Sequence, residues 1–564
     1  MLFTKKVKNA IILVIYKGGG NMDIQFCGAA KMVTGSNFLL TTDKYKILVD
    51  CGMFQGNEEL ERMNFEPFPY NPAEIDYLIL SHAHIDHSGR IPKLIKDGFK
   101  GRIISTKPTF DLCKIMLMDS AKIQEADVEW ENRKRQRAGE KPIEPLYTIE
   151  EAEISLKFFE TYLYGQRIIV NEDIELMFRD AGHMLGSSII ELWIREKGDY
   201  LKIVFSGDLG MPNRPIINDP EYIDDADYLI IESTYGDRIH EEFNRSTEKL
   251  VEIINKTVIR GGTVIIPSFA VGRTQELIYK LNKYYEYNEE IEEYMKIPIY
   301  VDSPMAVMAT EAFQANSSSF DDEAKGLILK GDNPFQFPNL RYVKDQKESM
   351  ALNKYKFPKV IISSSGMATA GRIRHHLKHN LWDEKNSLVF VGYQAEGTLG
   401  RIILNGAKRV KILGEEVAVK AEIYDLEGFS GHADQIMLID WIRKLKKKPE
   451  RIFIVHGEEK SSNTLASLVK EEFSIETIIP NIGDKFNIEK QSVELTRRTL
   501  REPLDLEQSI MKDLEYIYNQ FQSLNTRKDQ LIDRKLLEKE YDSLKNILIL
   551  LQQNLMDLNM MIGK

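Results

Sequence analysis

Short apolar runs recur along the chain, and each stops at a polar residue that can do chemistry. Residues 45–49, 77–80, 201–205, 228–231 and 451–455 are almost wholly apolar, the signature of strands buried on both faces. Asp50, His82, Asp208, Glu232 and His456 follow them within a few residues. In open α/β sheets, sites gather at the carboxyl ends of strands. Five repeats of one arrangement predict that these residues share a site.

From Met22 onward, such runs alternate with helix-like stretches and Gly/Pro punctuation, which predicts a layered α/β protein. Residues 237–404 hold an alternation of their own, with strands expected at 263–266, 360–362 and 388–391. They read as a second α/β domain. Residues 124–150 are charge-rich and predict a solvated helix followed by a Pro-containing loop. Near the end, Leu537, Tyr541, Leu544, Leu548, Leu551, Leu555, Leu558 and Ile562 alternate spacings of four and three. Ile510, Leu514, Ile517, Phe521 and Leu524 do the same in another register. Two helices with coiled-coil-like seams are expected, either packed on the body or serving dimerisation.

Residues 1–21 form a separate problem. Lys5, Lys6, Lys8 and Lys17 flank a short apolar run at 10–16, but no small-residue cleavage site follows, which argues against a secretory signal. The codons for Lys17 and Gly18–Gly20 must be purine-rich and lie just upstream of Met22, as a bacterial ribosome-binding site would. The expectation is a leader outside the native protein, with Met22 as its start.

Composition narrows the functions. Lys plus Arg total 75 and Asp plus Glu 86, a net charge of −11. Nucleic-acid binding through overall positive charge is excluded, though a local basic groove is not. Three cysteines, Cys27, Cys51 and Cys113, without a C-x-x-C pair fit a reducing compartment, so a cytoplasmic location is expected. No apolar run reaches the length of about 18 residues that a membrane span needs.

The densest chemistry lies in His82-Ala83-His84-Ile85-Asp86-His87, between a predicted strand and a predicted helix at 88–96. Three imidazoles and a carboxylate within one turn suit zinc and related divalent ions. Three further histidines, His183, His432 and His456, sit in glycine-rich or strand-end settings. His375, His376 and His379 fall on a basic helical stretch and are expected at the surface or facing substrate.

These motifs resemble the metallo-β-lactamase superfamily: Asp50, then His82-x-His84-x-Asp86-His87, His183, and Asp208 within Ser206-Gly207-Asp208. Glu232 in Glu232-Ser233-Thr234-Tyr235-Gly236, His432 in Phe429-Ser430-Gly431-His432 and His456 in Val455-His456-Gly457-Glu458 look like motifs A, B and C of its β-CASP branch. The resemblance covers about 22–490 and is closest to bacterial and archaeal ribonucleases related to the cleavage and polyadenylation endonuclease. It implies an α/β fold: a four-layer αββα metallo-β-lactamase domain (22–236 and 405–495), an inserted α/β β-CASP domain (237–404) and a C-terminal helical extension (496–564). That extension and the lack of N-terminal KH domains depart from the archaeal pattern.

The resemblance also implies roles. His82, His84 and His183 would hold one metal, and Asp86, His87 and His456 the other. Asp208 would bridge both beside a hydroxide, and Asp50 would orient the cluster from behind. Two Zn2+ ions are expected, with Mn2+ or Fe2+ as substitutes. His432 would protonate the leaving oxygen while Glu232 holds its tautomer. Substrate phosphate is assigned to Ser364, Ser365 and Gly366 after one strand and to Arg273 after another, unless these are helix caps only. Arg372 and Arg374, with His375, His376 and Lys378, offer a positive strip for RNA.

The function implied is an endoribonuclease of RNA processing or decay that cuts single-stranded RNA, with 5′-to-3′ exonuclease activity left open. In the family a histidine at motif C accompanies RNA substrates, and His456 is that residue here. No membrane partner is expected, and a homodimer through the β-CASP domain or the terminal helices is. A small-molecule hydrolase acting on a thioester or lactam is the alternative, but it leaves residues 237–404 and His432 unexplained. A binding protein with a dead site is disfavoured because every metal position is intact.

Overall fold

Strand alternation decides the architecture. In the computed structural model, residues 22–488 are described apart from 197–198, 241–242, 288–296, 393, 395–396 and 427–430, together with 518 and 522. The expected leader and the seams of the two terminal helices lie outside the described residues.

Two seven-stranded sheets form the larger domain. The first runs in the order Lys485–Asn487, Asp23–Phe26, Phe38–Thr41, Lys46–Val49, Tyr77–Ile79, Arg102–Thr106, Phe159–Tyr162. The second runs Glu476–Ile478, Arg451–Val455, Tyr228–Glu232, Asp199–Phe205, Ser188–Glu196, Ile174–Asp180, Ile168–Ile169. They pack face to face: Ile24, Phe26, Leu40 and Val49 of the first meet Phe178, Ile190, Phe205 and Phe453 of the second.

Because side chains alternate across a strand, the same strands feed a second core. Tyr228 and Ile230 enter the inter-sheet core, while Leu229 and Ile231 point the other way. There they meet Leu438, Trp441 and Ile442 of helix Gln435–Lys444 and Leu465 and Val469 of helix Glu459–Phe473. Helix Lys107–Ala138 starts directly after strand Arg102–Thr106, with Thr106 accepting a hydrogen bond at its N-cap. Its first half is buried and its second half carries an exposed Trp130, so the solvated helix expected from 124 is the outer end of a longer one.

The third sheet has six parallel strands: Leu340–Tyr342, Ile299–Val301, Lys359–Ser363, Thr263–Pro267, Ser387–Phe390 and Glu422–Asp425. The last strand lies beyond the expected boundary at 404/405. Glu422–Asp425 pairs with Ser387–Phe390, and Val410, Ile412 and Val417 of the preceding hairpin bury against Leu377, Leu388 and Phe390. Residues 409–425 therefore add an edge strand and apolar cover to the third sheet.

The two domains meet beside the loop after Asp208. Asp321 donates its backbone N–H to Ile216 over 2.8 Å, and Asn316 bonds Asp111 over 2.9 Å. Among the described residues, no helix is long and apolar enough to cross a membrane.

Candidate active site

Asp50, His82, His183, Asp208, Glu232 and His456 all sit at or just beyond carboxyl ends of strands in the two packed sheets. Two of them have left-handed backbones, Asp50 at φ 58° and His456 at φ 47°, a conformation non-glycine residues hold only where the surroundings impose it. Glycine is needed at position 52, since a Cβ there would lie 1.6 Å from the Asp86 carbonyl oxygen. That close approach seats the metal-loop backbone, with Ser36 N–H donating to the same oxygen over 2.8 Å.

Three groups of side chains converge. His82, His84, His183 and Asp208 each present a donor atom within 4.8 Å of the others, and so do Asp86, His87 and His456. Asp208 lies between them. Its Oδ2 is 3.4 Å from His82 Nε2 and 3.6 Å from His183 Nε2. Its Oδ1 is 3.3 Å from His87 Nε2 and 3.4 Å from His456 Nδ1. The third group, Glu232, His432 and His456, also includes Asp208.

The far sides of the imidazoles are tied down. His87 Nδ1 donates to Asp50 Oδ2 over 2.7 Å, leaving Nε2 toward the centre. Ser81 donates both its N–H and its hydroxyl to Asp50, and its hydroxyl oxygen lies 3.0 Å from His82 Nδ1. His183 Nδ1 donates to the Gly431 carbonyl over 3.0 Å. Such outer contacts set the tautomer and turn the remaining nitrogen to a metal. Ser81 and Thr234, whose hydroxyl is 3.1 Å from His456 Nδ1, were not assigned roles from sequence. Their only signal was adjacency to His82 and to Glu232.

Electrostatics follow from this crowding. Burial and a neighbouring imidazole lower His84 to about 3 and hold His183 well below the usual histidine value, so both favour the neutral, ligating form. Burial works against charge on Asp208, but His456, His87 and His432 outweigh it and hold its carboxyl well below the usual range. His87 goes the other way: burial opposes a proton, yet Asp208 and Asp50 raise its pKa. That corner favours a cation. Burial also opposes charge on His432, but Glu232 and Asp208 raise it to about 9. Its Nδ1 lies 3.1 Å from Glu232 Oε2.

The donors fit metal binding. All are nitrogen or oxygen, and Asp208 Oδ1, which faces His87 and His456, is buried without accepting a hydrogen bond.

The expected substrate residues divide. Arg273 lies in the site: a Cβ on Gly431 would sit 3.4 Å from its NH2 nitrogen and 3.3 Å from His183 Nδ1. Ser364 donates its hydroxyl to Ser303, and Ser365 Oγ accepts the N–H groups of Thr369 and Ala370, so both hydroxyls shape the turn before helix Ile373–Asn380. Gly366 is covered by the Phe269 ring. Arg374 is half-buried on that helix. The positive strip needs correction. Arg372 is bound by Asp302 Oδ1 at 2.6 Å and by the carbonyls of Val343 and Lys344, and His376 is fully buried with Nε2 on Asp302 Oδ2 at 2.6 Å. Their face of the helix meets Asp302 instead of solvent.

Two packed sheets with paired ligand groups at their strand ends, and an α/β domain inserted beside them, define a two-domain metallo-hydrolase. Family models agree: the metallo-β-lactamase superfamily matches 32–173, the β-CASP domain 274–403 and the Zn-dependent metallo-hydrolase RNA specificity domain 416–480. Ribonuclease TTHA0252 of Thermus thermophilus is 39% identical over 442 residues, 78% of this chain and 94% of that protein. Transcription termination factor FttA of Methanocaldococcus jannaschii is 33% identical over 83% of this chain and 72% of its own. An RNase J-like protein of the same archaeon is 32% identical over 82% and 98%. The chain belongs to the β-CASP branch of the metallo-β-lactamase superfamily.

Proposed function

We propose that the protein is a metal-dependent ribonuclease that hydrolyses phosphodiester bonds in single-stranded RNA, leaving a 3′ hydroxyl and a 5′ phosphate. The observation that carries this reading is the position of Asp208, one carboxylate oxygen toward each ligand group. The ribonuclease names of relatives that align along most of their length support it.

His82, His84 and His183 would hold one Zn2+, and Asp86, His87 and His456 the other, with Asp208 shared. Bound metals supply Lewis acidity toward phosphate oxygens and lower the pKa of water. Asp50 and Ser81 orient His87 and His82 for this. His432 holds a proton for the departing O3′, and Glu232 keeps that proton by stabilising the imidazolium. Arg273 and the 364–366 turn contact phosphates of the strand.

The test is cleavage of end-labelled single-stranded RNA and matched DNA, with an Asp86→Ala, His87→Ala double variant as control. RNA cut by the wild type alone supports the reading. Cleavage of DNA alone overturns the RNA assignment, and cleavage of neither favours a thioester or lactam substrate.

A further inference from the structure

Beside the metal centre stands an imidazole that the metal centre does not use. His240 lies a short way beyond Glu232, on the segment that leaves strand Tyr228–Glu232 for the inserted domain. Its ring stands edge-on to the Tyr235 ring, with centroids 4.4 Å apart and planes at 78°. Tyr235 in turn meets the His432 imidazole at 6.0 Å and 68°. The main chains lie together as well: Tyr235 forms a β-bridge with Asp434, and Gln435 donates its N–H to the Arg238 carbonyl over 3.1 Å. The His240 N–H donates to Asp434 Oδ2 over 3.1 Å, while Asp434 Oδ1 caps helix Gln435–Lys444 by accepting from Met437. Residues 235–240 thus wrap the segment that carries His432.

A phenyl ring would pack against Tyr235 as well and would strand no polar atom. His240 Nε2 is buried without a hydrogen-bond partner, so what the imidazole adds over a phenyl ring comes from its other nitrogen. That Nδ1–H donates to the backbone of His432. Burial lowers the His240 pKa to about 4; Asp434 opposes this and His432 adds to it. The ring is therefore neutral beside a His432 where burial is outweighed by Glu232 and Asp208, which favour the cation. A second cation there would weaken the hold on that proton. His432 is gripped by Glu232 at Nδ1, by Gly210 through a β-bridge, by Tyr235 at the ring and by His240 at the backbone.

We propose that His240 is a positioning residue for the proton donor: with Tyr235 it fixes the backbone and ring of His432, so that the imidazole stays on Glu232 and presents its proton to the phosphodiester being cut. The inference rests on the ribonuclease reading, in which His432 protonates the departing O3′. His240 touches no substrate and transfers no proton. It acts only through His432.

The experiment measures kcat and KM of the metal-loaded protein on single-stranded RNA and on the same RNA with sulfur in place of O3′ at the cleaved bond. A departing thiolate needs no proton, so only the oxygen-linked bond depends on the donor. His240→Phe keeps the packing and removes the N–H. It should lower kcat about tenfold on the oxygen-linked RNA and less than about twofold on the sulfur-linked RNA, with KM and metal per chain unchanged. His240→Asn places an N–H donor near the Nδ1 position and should recover most of the lost rate. The double variant with His432→Ala should be no slower than His432→Ala alone, the mark of two residues acting through one proton donor. His240→Gln, which moves the N–H away from the Nδ1 position, serves if His240→Phe does not fold. Equal losses on both RNAs, no loss on either, or an additive loss in the double variant overturns the proposal. If the wild type cuts neither RNA, or His432→Ala slows both alike, the ribonuclease reading has failed in its proton donor or altogether. A crystal structure of the His240 variant then decides the positioning claim separately, a His432 ring unmoved from Glu232 being the result against it.

Discussion

Each domain carries a cluster of carboxylate and imidazole at the carboxyl ends of its parallel strands, and the two clusters differ in whether their polar atoms are satisfied. In the inserted domain Asp302 follows strand Ile299–Val301 and is fully buried. Its Oδ2 accepts from His376 Nε2 and Ser349 Oγ, its Oδ1 from Arg372, and His376 Nδ1 lies 3.0 Å from Asn353 Oδ1. Every charged group there has its counterpart. Around Asp208 the imidazoles turn nitrogens toward one another and Oδ1 has no donor. A closed cluster holds chain segments together, whereas an open one is stable only as a place for something else. Composition does not separate them, since both are built from Asp and His.

Substitution at the two aspartates should break this symmetry most visibly. Asp208→Ala is expected to lower RNA cleavage by at least about 10³-fold, because the carboxylate that faces both ligand groups is lost. Elemental analysis should show less metal per chain, and chelator should lower the melting temperature of the wild type but not of the variant. Retention of full metal would mean that Asp208 is no more a ligand than Asp302.

A smaller effect is expected at the closed cluster. Asp302→Ala should destabilise the protein by about 3 kcal/mol, since it strands a buried partner. Its metal content should stay that of the wild type. Denaturant unfolding combined with metal analysis checks both, and loss of metal would show that the clusters are not independent.

The smallest effect concerns pH. Burial works against charge on Asp302, but hydrogen bonds from His376 and Ser349 hold its carboxyl below the usual range. Its contribution is therefore present above the unfolded carboxylate value of about 3.9 and is lost as pH falls through the folded value. The melting-temperature gap between wild type and Asp302→Asn should be widest near neutrality and narrow in acid. A gap independent of pH would assign the stability to packing instead.

Much of the site was legible because its signals are local. A strand followed at once by Asp50, His82, Asp208, Glu232 or His456 needs only a few residues to be recognised. The 371–379 stretch misled for the same reason. Arg372 and His376 are four apart and share a helix face, but helical spacing does not say what covers that face. Asp302, which covers it, is 74 positions from His376 in the chain. The pairing of 422–425 with the third sheet was not legible either, because the partner strand of an apolar run is fixed by packing and not by the run itself.

The order of residues by itself determined the strand ends, the turn carrying His82, His84, Asp86 and His87, and the family they point to, because each depends on neighbours in the chain. Only the tertiary structure decided which distant groups meet. His87 and His456 stand 3.2 Å apart across 369 positions, and Glu276 reaches Arg214 across 62. It also decided which polar atoms find partners and which, like Asp208 Oδ1, do not. Burial and pairing arise from packing between elements, so a charged residue acquires its role only when the fold fixes what lies against it.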